Sequence, residues 1–204
     1  MVPFDRFEFQ STFSLKDIAT YNDWETADVV FINYQNHLID ALSKPDSQMR
    51  MFVLPEQELQ QVKSLLPKVY KSEPTTHQGV NIDALVKSGK LKLLLENFQA
   101  DYFMVMTEYM ISSKLVPTKA SYEGSKFLAW SVHKFTYEIY DIEGTLVAMV
   151  NRYGIDPTLP KEEYAHTKGT LLKSLSQPYS KLLREISRQV ELYERKRKVV
   201  YKIK

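Results

Sequence analysis

A mixed α/β (α+β) architecture, one β-sheet packed against helices, is the fold this sequence predicts, and three observations carry the prediction. Residues 127–142 alternate, with Trp130, Val132, Lys134, Thr136, Glu138 and Tyr140 on one side and Ser131, His133, Phe135, Tyr137 and Ile139 on the other. That two-residue period is a strand with two distinct faces. Asp141-Ile142-Glu143-Gly144 then turns the chain into the apolar run Thr145 to Tyr153, predicting an antiparallel hairpin late in the chain. Leu171, Leu172, Leu175, Tyr179, Leu182, Leu183, Ile186, Val190 and Tyr193 recur at helical spacing, predicting a long C-terminal helix that Pro178 kinks or restarts.

The remaining elements follow in chain order. Val2 to Phe9 is aromatic and extended in character, a first strand. From Trp24, the positions Ala27, Phe31, Tyr34, Leu38, Ala41 and Leu42 form one helical stripe that Lys44-Pro45 closes. Met49 to Leu54 reads as a short strand, and Pro55-Glu56 opens a helix with Leu59, Val62, Leu65 and Leu66 inward. Pro67 to Gly79 reads as a loop. Asn81 caps a helix that Gly89 divides, running on to Phe98. Tyr102 to Ile111 is a central strand, followed by a connection over 114–126. Early strands separated by helices favour parallel pairing, whereas the late hairpin is antiparallel.

Composition limits function more than it reveals it. The 204 residues are 44% hydrophobic and 25% charged, which suits one folded domain over 1–204 and contains no internal repeat. Lys plus Arg number 27 against 25 Asp plus Glu, so the chain as a whole is not built to coat nucleic acid. With no cysteine, disulfides, thiolate zinc sites and cysteine nucleophiles are excluded. The six glycines are scattered, and neither a Walker loop nor a Gly-x-Gly-x-x-Gly phrase occurs. No catalytic residue, metal ligand set or cofactor is assigned. His37 with Asp40, and Glu162 and Glu163 with His166, read as solvated polar faces rather than ligand sets.

Two candidate sites remain. The first is a binding patch of Trp130, His133, Phe135, Tyr137 and Tyr140, which a sheet covered on one face only would leave exposed. A cleft beside His133 would alternatively suit a small hydrolase or ligand-binding enzyme. The second is the basic tail over 195–204, where Arg195, Lys196, Arg197 and Lys198 lead six basic residues and no acid. Such cations complement a helix C-terminus, or contact anionic lipid headgroups or nucleic acid. Alternation of Val199, Tyr201 and Ile203 also permits an edge strand there.

Several phrases are shared with a group of bacterial envelope domains. These are Val2-Pro3-Phe4, Ala100-Asp101-Tyr102-Phe103-Met104-Val105, and Tyr137-Glu138-Ile139-Tyr140-Asp141 followed by a turn and Leu146-Val147-Ala148. In them the chain resembles the α/β modules of penicillin-binding-protein activator lipoproteins, the TolB amino-terminal domain and the CsgG family. The resemblance implies a non-catalytic envelope domain that binds protein partners or self-assembles, with peripheral membrane association an option. It transfers no functional residue, because the group shares no catalytic site. The opening Met1 to Arg6 does not read as a signal peptide. The expected location is therefore the periplasm or outer membrane if an export segment has been removed, and the cytoplasm otherwise.

Overall fold

A computed structural model describes residues 1–44, 49–71, 77–117, 127–155, 172 and 179–202. The first half contains β1 (Phe9–Ser11), α1 (Leu15–Tyr21), α2 (Asp28–Leu42), α3 (Glu56–Ser64), β2 (Lys68–Lys71) and β3 (His77–Val80). The second contains α4 (Asp83–Lys87), α5 (Lys90–Asn97), β4 (Phe103–Pro117), β5 (Phe127–Tyr140), β6 (Leu146–Ile155) and α6 (Ser180–Lys202). Four strands form the mixed sheet in the order β1-β4-β5-β6. β1 lies parallel to β4, as a connection containing helices permits, and the two later pairings are antiparallel.

The two faces of β5 are those its alternation predicts, and each has its own cover. Phe135, Tyr137 and Ile139 join Met104, Met106, Tyr109 and Ile111 beneath α1, α2 and α6, packed on Ile18, Val30, Tyr34, Leu38, Leu182 and Ile186. Tyr140 joins Phe103 and Val105 on the opposite face, against Leu59, Val62, Leu85, Leu91 and Leu94 of α3, α4 and α5. Each large apolar side chain so buried contributes roughly 1.5–3 kcal/mol. These two clusters hold the helices to the sheet.

Two register shifts of the sheet lie beside Thr136, and a further one lies between Ile139 and Tyr140. The β4–β5 register shifts between Met106 and Glu108, and the β5–β6 register between Phe135 and Tyr137. The Thr136 hydroxyl donates to Glu108 Oε2 (3.0 Å) and accepts the Arg152 backbone N–H (3.1 Å). The Arg152 guanidinium grips both Glu108 oxygens, at 3.1 and 3.2 Å. Arg152 itself has φ 52°, a left-handed conformation that the bulge imposes and this side-chain network holds in place.

Several elements depart from the sequence expectation. The first strand is split: Val2 makes an isolated parallel bridge to Val105, Arg6 to Glu8 turn, and continuous pairing begins at Phe9. The turn is fastened by Asp5 Oδ1, which accepts the Phe7 and Glu8 N–H groups. Residues 49–54 form no ladder strand, although Leu54 N–H reaches the Met1 carbonyl. A short helix not foreseen, α1, is capped by Ser14, whose Oγ accepts the Asp17 N–H. Helix α2 begins at Asp28, leaving Trp24 ahead of it with its ring edge on Tyr34. Pro67 to Gly79 is not all loop, because β2 and β3 pair antiparallel as a second sheet. The edge-strand reading of the tail fails, since α6 continues through Lys202. Pro178, Glu162, Glu163 and His166 lie outside the described residues.

Both expected glycine breaks occur. Gly89, at φ 69°, separates α4 from α5, and Gly144, at φ 78°, turns β5 into β6. Only Gly144 is also hemmed in, since a Cβ there would lie 2.4 Å from Val86 Cγ2. Gly144→Ala is therefore expected to cost about 2 kcal/mol from conformational strain and overlap combined. Chemical unfolding measures it. Adding Val86→Ala should relieve the overlap and leave only the conformational share; a single variant as stable as wild type contradicts the expectation.

Candidate functional site

The proposed aromatic patch is not a surface. His133, Phe135 and Tyr137 are fully buried and Tyr140 nearly so. Tyr140 also belongs to the opposite face of the sheet, so these side chains do not form one patch. The physical reason is that helices cover both faces where these residues lie. Trp130 lies opposite Lys114 in the β4–β5 ladder, and its side chain falls outside the described residues.

His133 is instead a partner within an aromatic interior. Its Nδ1 is 2.7 Å from the Tyr109 hydroxyl, which is 2.9 Å from the Tyr179 hydroxyl. Tyr34 and Tyr109 rings pack 6.0 and 5.8 Å from the imidazole. Among the described residues Nε2 has no hydrogen-bond partner, and the hydroxyl of Ser131, two residues away on the same strand face, has none either. Burial pushes the His133 pKa down to about 3, so the ring is neutral at physiological pH. Proton transfer to a substrate needs access that this ring lacks. Among the described residues, no group of three His, Cys, Asp or Glu is placed to hold a metal ion. His37 and Asp40 sit on the exposed side of α2.

An open cleft of about 780 Å³ lies elsewhere, between residues 49–54, the end of α5, the start of β4 and the second half of α6. Met49, Met51, Leu94, Phe103, Met104, Ile186 and Val190 contribute its apolar lining. Local sequence explains each wall. The spacing of Ile186 and Val190 continues the buried stripe of α6 from Leu182. Positive φ at Gln99 ends α5 and lets Ala100-Asp101-Tyr102 swing the chain into β4. Residues 49–54 form the opposite wall, with Met51 and Leu54 buried and Phe52 exposed.

Charged side chains form the mouth. Glu191, Glu194, Arg195 and Lys198 follow one another along the α6 stripe, facing Arg50 and Asp101. Glu194 accepts a hydrogen bond from the Tyr102 hydroxyl, and Glu191 pairs with Arg195 at 3.6 Å. Burial, then the adjacent Glu194, raises the Tyr102 pKa, keeping that hydroxyl a donor. The Arg50 guanidinium lies 4.9 Å over the Phe52 ring.

Arg195 to Lys198 are thus exposed toward the end of α6, and two of them, Arg195 and Lys198, reach the cleft. Lys196 and Arg197 do not line it. Sequence reasoning missed Met49, Met51, Leu94 and Phe103 as site residues. The pair Met49 and Met51, apolar but unsuited to a specifying core, was the available signal. Compared with known proteins, the chain matches no family model, no curated sequence and no solved structure.

Proposed function

We propose that this protein is a non-catalytic binding domain whose cleft holds an apolar segment of a protein partner. The observation that carries the reading is an open, methionine-rich trough of about 780 Å³ with a charged rim. Ligand sites have this size and this division between apolar floor and polar edge. Flexible thioethers adapt to varied apolar surfaces, which suits recognition of a segment better than positioning of a reacting atom. The buried, neutral His133 lies away from this trough, which favours binding over hydrolysis. An envelope location belongs to the same proposal through the resemblance of Val2-Pro3-Phe4 and Ala100 to Val105 to envelope modules, and cell fractionation tests it.

Methionine methyl NMR provides the direct test. A neutral amphipathic peptide should shift the Met49, Met51 and Met104 resonances and leave Met149, on β6, in place. Ser187 also lines the cleft and is half-buried, so Ser187→Trp should fill the trough and abolish those shifts. Shifts confined to other methionines, or unaffected by Ser187→Trp, would refute the reading. The described helices include none long and apolar enough to cross a membrane.

A further inference from the structure

Independently of the cleft, we propose that the solvent-facing side of α6 is a docking surface for an anionic lipid bilayer. The observation behind it is a division of charge within the chain. Along α6, eight Lys and Arg stand against three Glu. The whole chain has 27 basic and 25 acidic residues, so setting aside those eight and three leaves 19 against 22. One long helix is thus strongly basic on a body that is net acidic. An anionic surface attracts the first and repels the second, which orients the protein with α6 toward it.

Spacing gathers the charge into a line. Lys181, Arg184, Arg188, Arg195 and Lys196 are exposed and follow one another at helical steps, round the helix from the buried Leu182, Ile186 and Val190. The line is about 22 Å long at the rise of an α-helix. Two carboxylates run beside it: Glu185, paired with Arg188 at 2.7 Å, and Glu191, paired with Arg195 at 3.6 Å. Counted in full, they still leave the line with an excess of positive charge, since Lys181, Arg184 and Lys196 have no carboxylate within salt-bridge distance among the described residues. Glu194 is turned inward to Tyr102, and Asp141 meets α6 on its inner side through Tyr193. Leu192 favours lipid over nucleic acid as the anion. It lies in the line between Arg188 and Arg195 and is 39% exposed. Against a phosphodiester backbone that side chain gains nothing. At a bilayer it enters the interface while the flanking Lys and Arg stems stretch to the headgroups. Because the buried stripe of α6 is committed to the core, the attachment is mainly electrostatic and reversible.

Co-sedimentation of the full chain with lipid vesicles tests the proposal. Binding is expected to phosphatidylglycerol and not to phosphatidylcholine, and it should fall as salt is raised. Each basic residue at an anionic leaflet contributes about fivefold in affinity, so Lys181→Gln, Arg184→Gln and Lys196→Gln together should weaken binding about a hundredfold. These side chains are exposed and line no part of the cleft, so far-UV circular dichroism and the methionine shifts with peptide should match those of wild type. Leu192→Ser should weaken vesicle binding and leave any affinity for a duplex oligonucleotide unchanged. Equal sedimentation with both lipids, sedimentation with neither, or a triple variant that binds as wild type does would overturn the proposal. Tighter binding to a duplex oligonucleotide than to vesicles, lost in the triple variant and indifferent to Leu192→Ser, would overturn it in favour of nucleic acid.

Discussion

Acidification from pH 8 to pH 5 is expected to remove about 2 kcal/mol of folding stability through His133 alone. The folded ring resists protonation, with its pKa lowered to about 3 by burial, whereas an unfolded histidine titrates near its ordinary value of 6.5. Below 6.5 the unfolded state therefore takes up a proton that the folded state refuses. Stability is full above that pH and declines continuously as pH falls toward 3. No cation is welcome at this position: the groups that face the ring are the Tyr109 hydroxyl and the aromatic faces of Tyr34 and Tyr109. Glu185, lowered from 4.5 chiefly by Arg188, acts in more acidic solution, whereas Glu8, raised by burial, and the Met1 amine, lowered by burial to about 5, also titrate within or near this window, so the share of the ring is read as the difference from a variant that lacks it. His133→Phe supplies the control, since Tyr109 keeps its hydrogen bond to Tyr179 and a ring still fills the space. Urea unfolding at stepped pH should show a sloping profile for wild type and one shallower by about 2 kcal/mol over this range for the variant. Parallel profiles would mean that His133 is not the group responsible.

That buried ring also marks the boundary of what the chain's pattern can convey. Alternation in 127–142 correctly separates Ser131, His133, Phe135, Tyr137 and Ile139 from Val132, Thr136, Glu138 and Tyr140. It does not say which face a helix will cover, because an aromatic suits a core and a binding surface equally well. Here both faces are covered, and the expected patch becomes interior. The long C-terminal helix was legible because Leu182, Ile186 and Val190 repeat every four residues over a sustained run. In contrast, β2 and β3 are four residues each, with Lys68, Lys71, His77 and Gln78 among them, and carry no apolar alternation. Their pairing is a tertiary outcome. The cleft was illegible for a related reason. Met51, Leu94, Met104 and Val190 come from four segments far apart in the chain, and no local period joins them.

Asp141→Ala is expected to cost about 3 kcal/mol, because one buried carboxylate joins the hairpin to the helix above it. Its Oδ1 accepts the Thr145 N–H at 2.8 Å and the Glu143 N–H at 3.1 Å, closing the β5–β6 turn. Its Oδ2 accepts the Tyr193 hydroxyl of α6 at 2.7 Å. Hydrogen bonds to an ionised group contribute about 1.5–3 kcal/mol, and alanine would abolish three of them while leaving two turn amides unpaired by a side chain. Asp141→Asn should cost less, since its carbonyl can still serve both turn amides. It would, however, weaken the hold on Tyr193, whose pKa is pushed up to about 12, chiefly by the hydrogen bond to Asp141. In that variant the Tyr193 titration, followed by tyrosine-labelled NMR, should move back toward the ordinary value near 10. Asp141→Ala within about 1 kcal/mol of wild type, or an unmoved Tyr193 titration in Asp141→Asn, would show that the contact does not bind α6 to the hairpin. The consequence reaches the cleft. Tyr193 grips Asp141 on one side of α6 while its neighbour Glu194 engages Tyr102 on the other, so the two contacts together fix the rotation of the helix. That rotation aims Arg195 and Lys198 at the mouth. Loss of the Asp141 tether should therefore weaken peptide binding in the cleft even at temperatures where the variant remains folded.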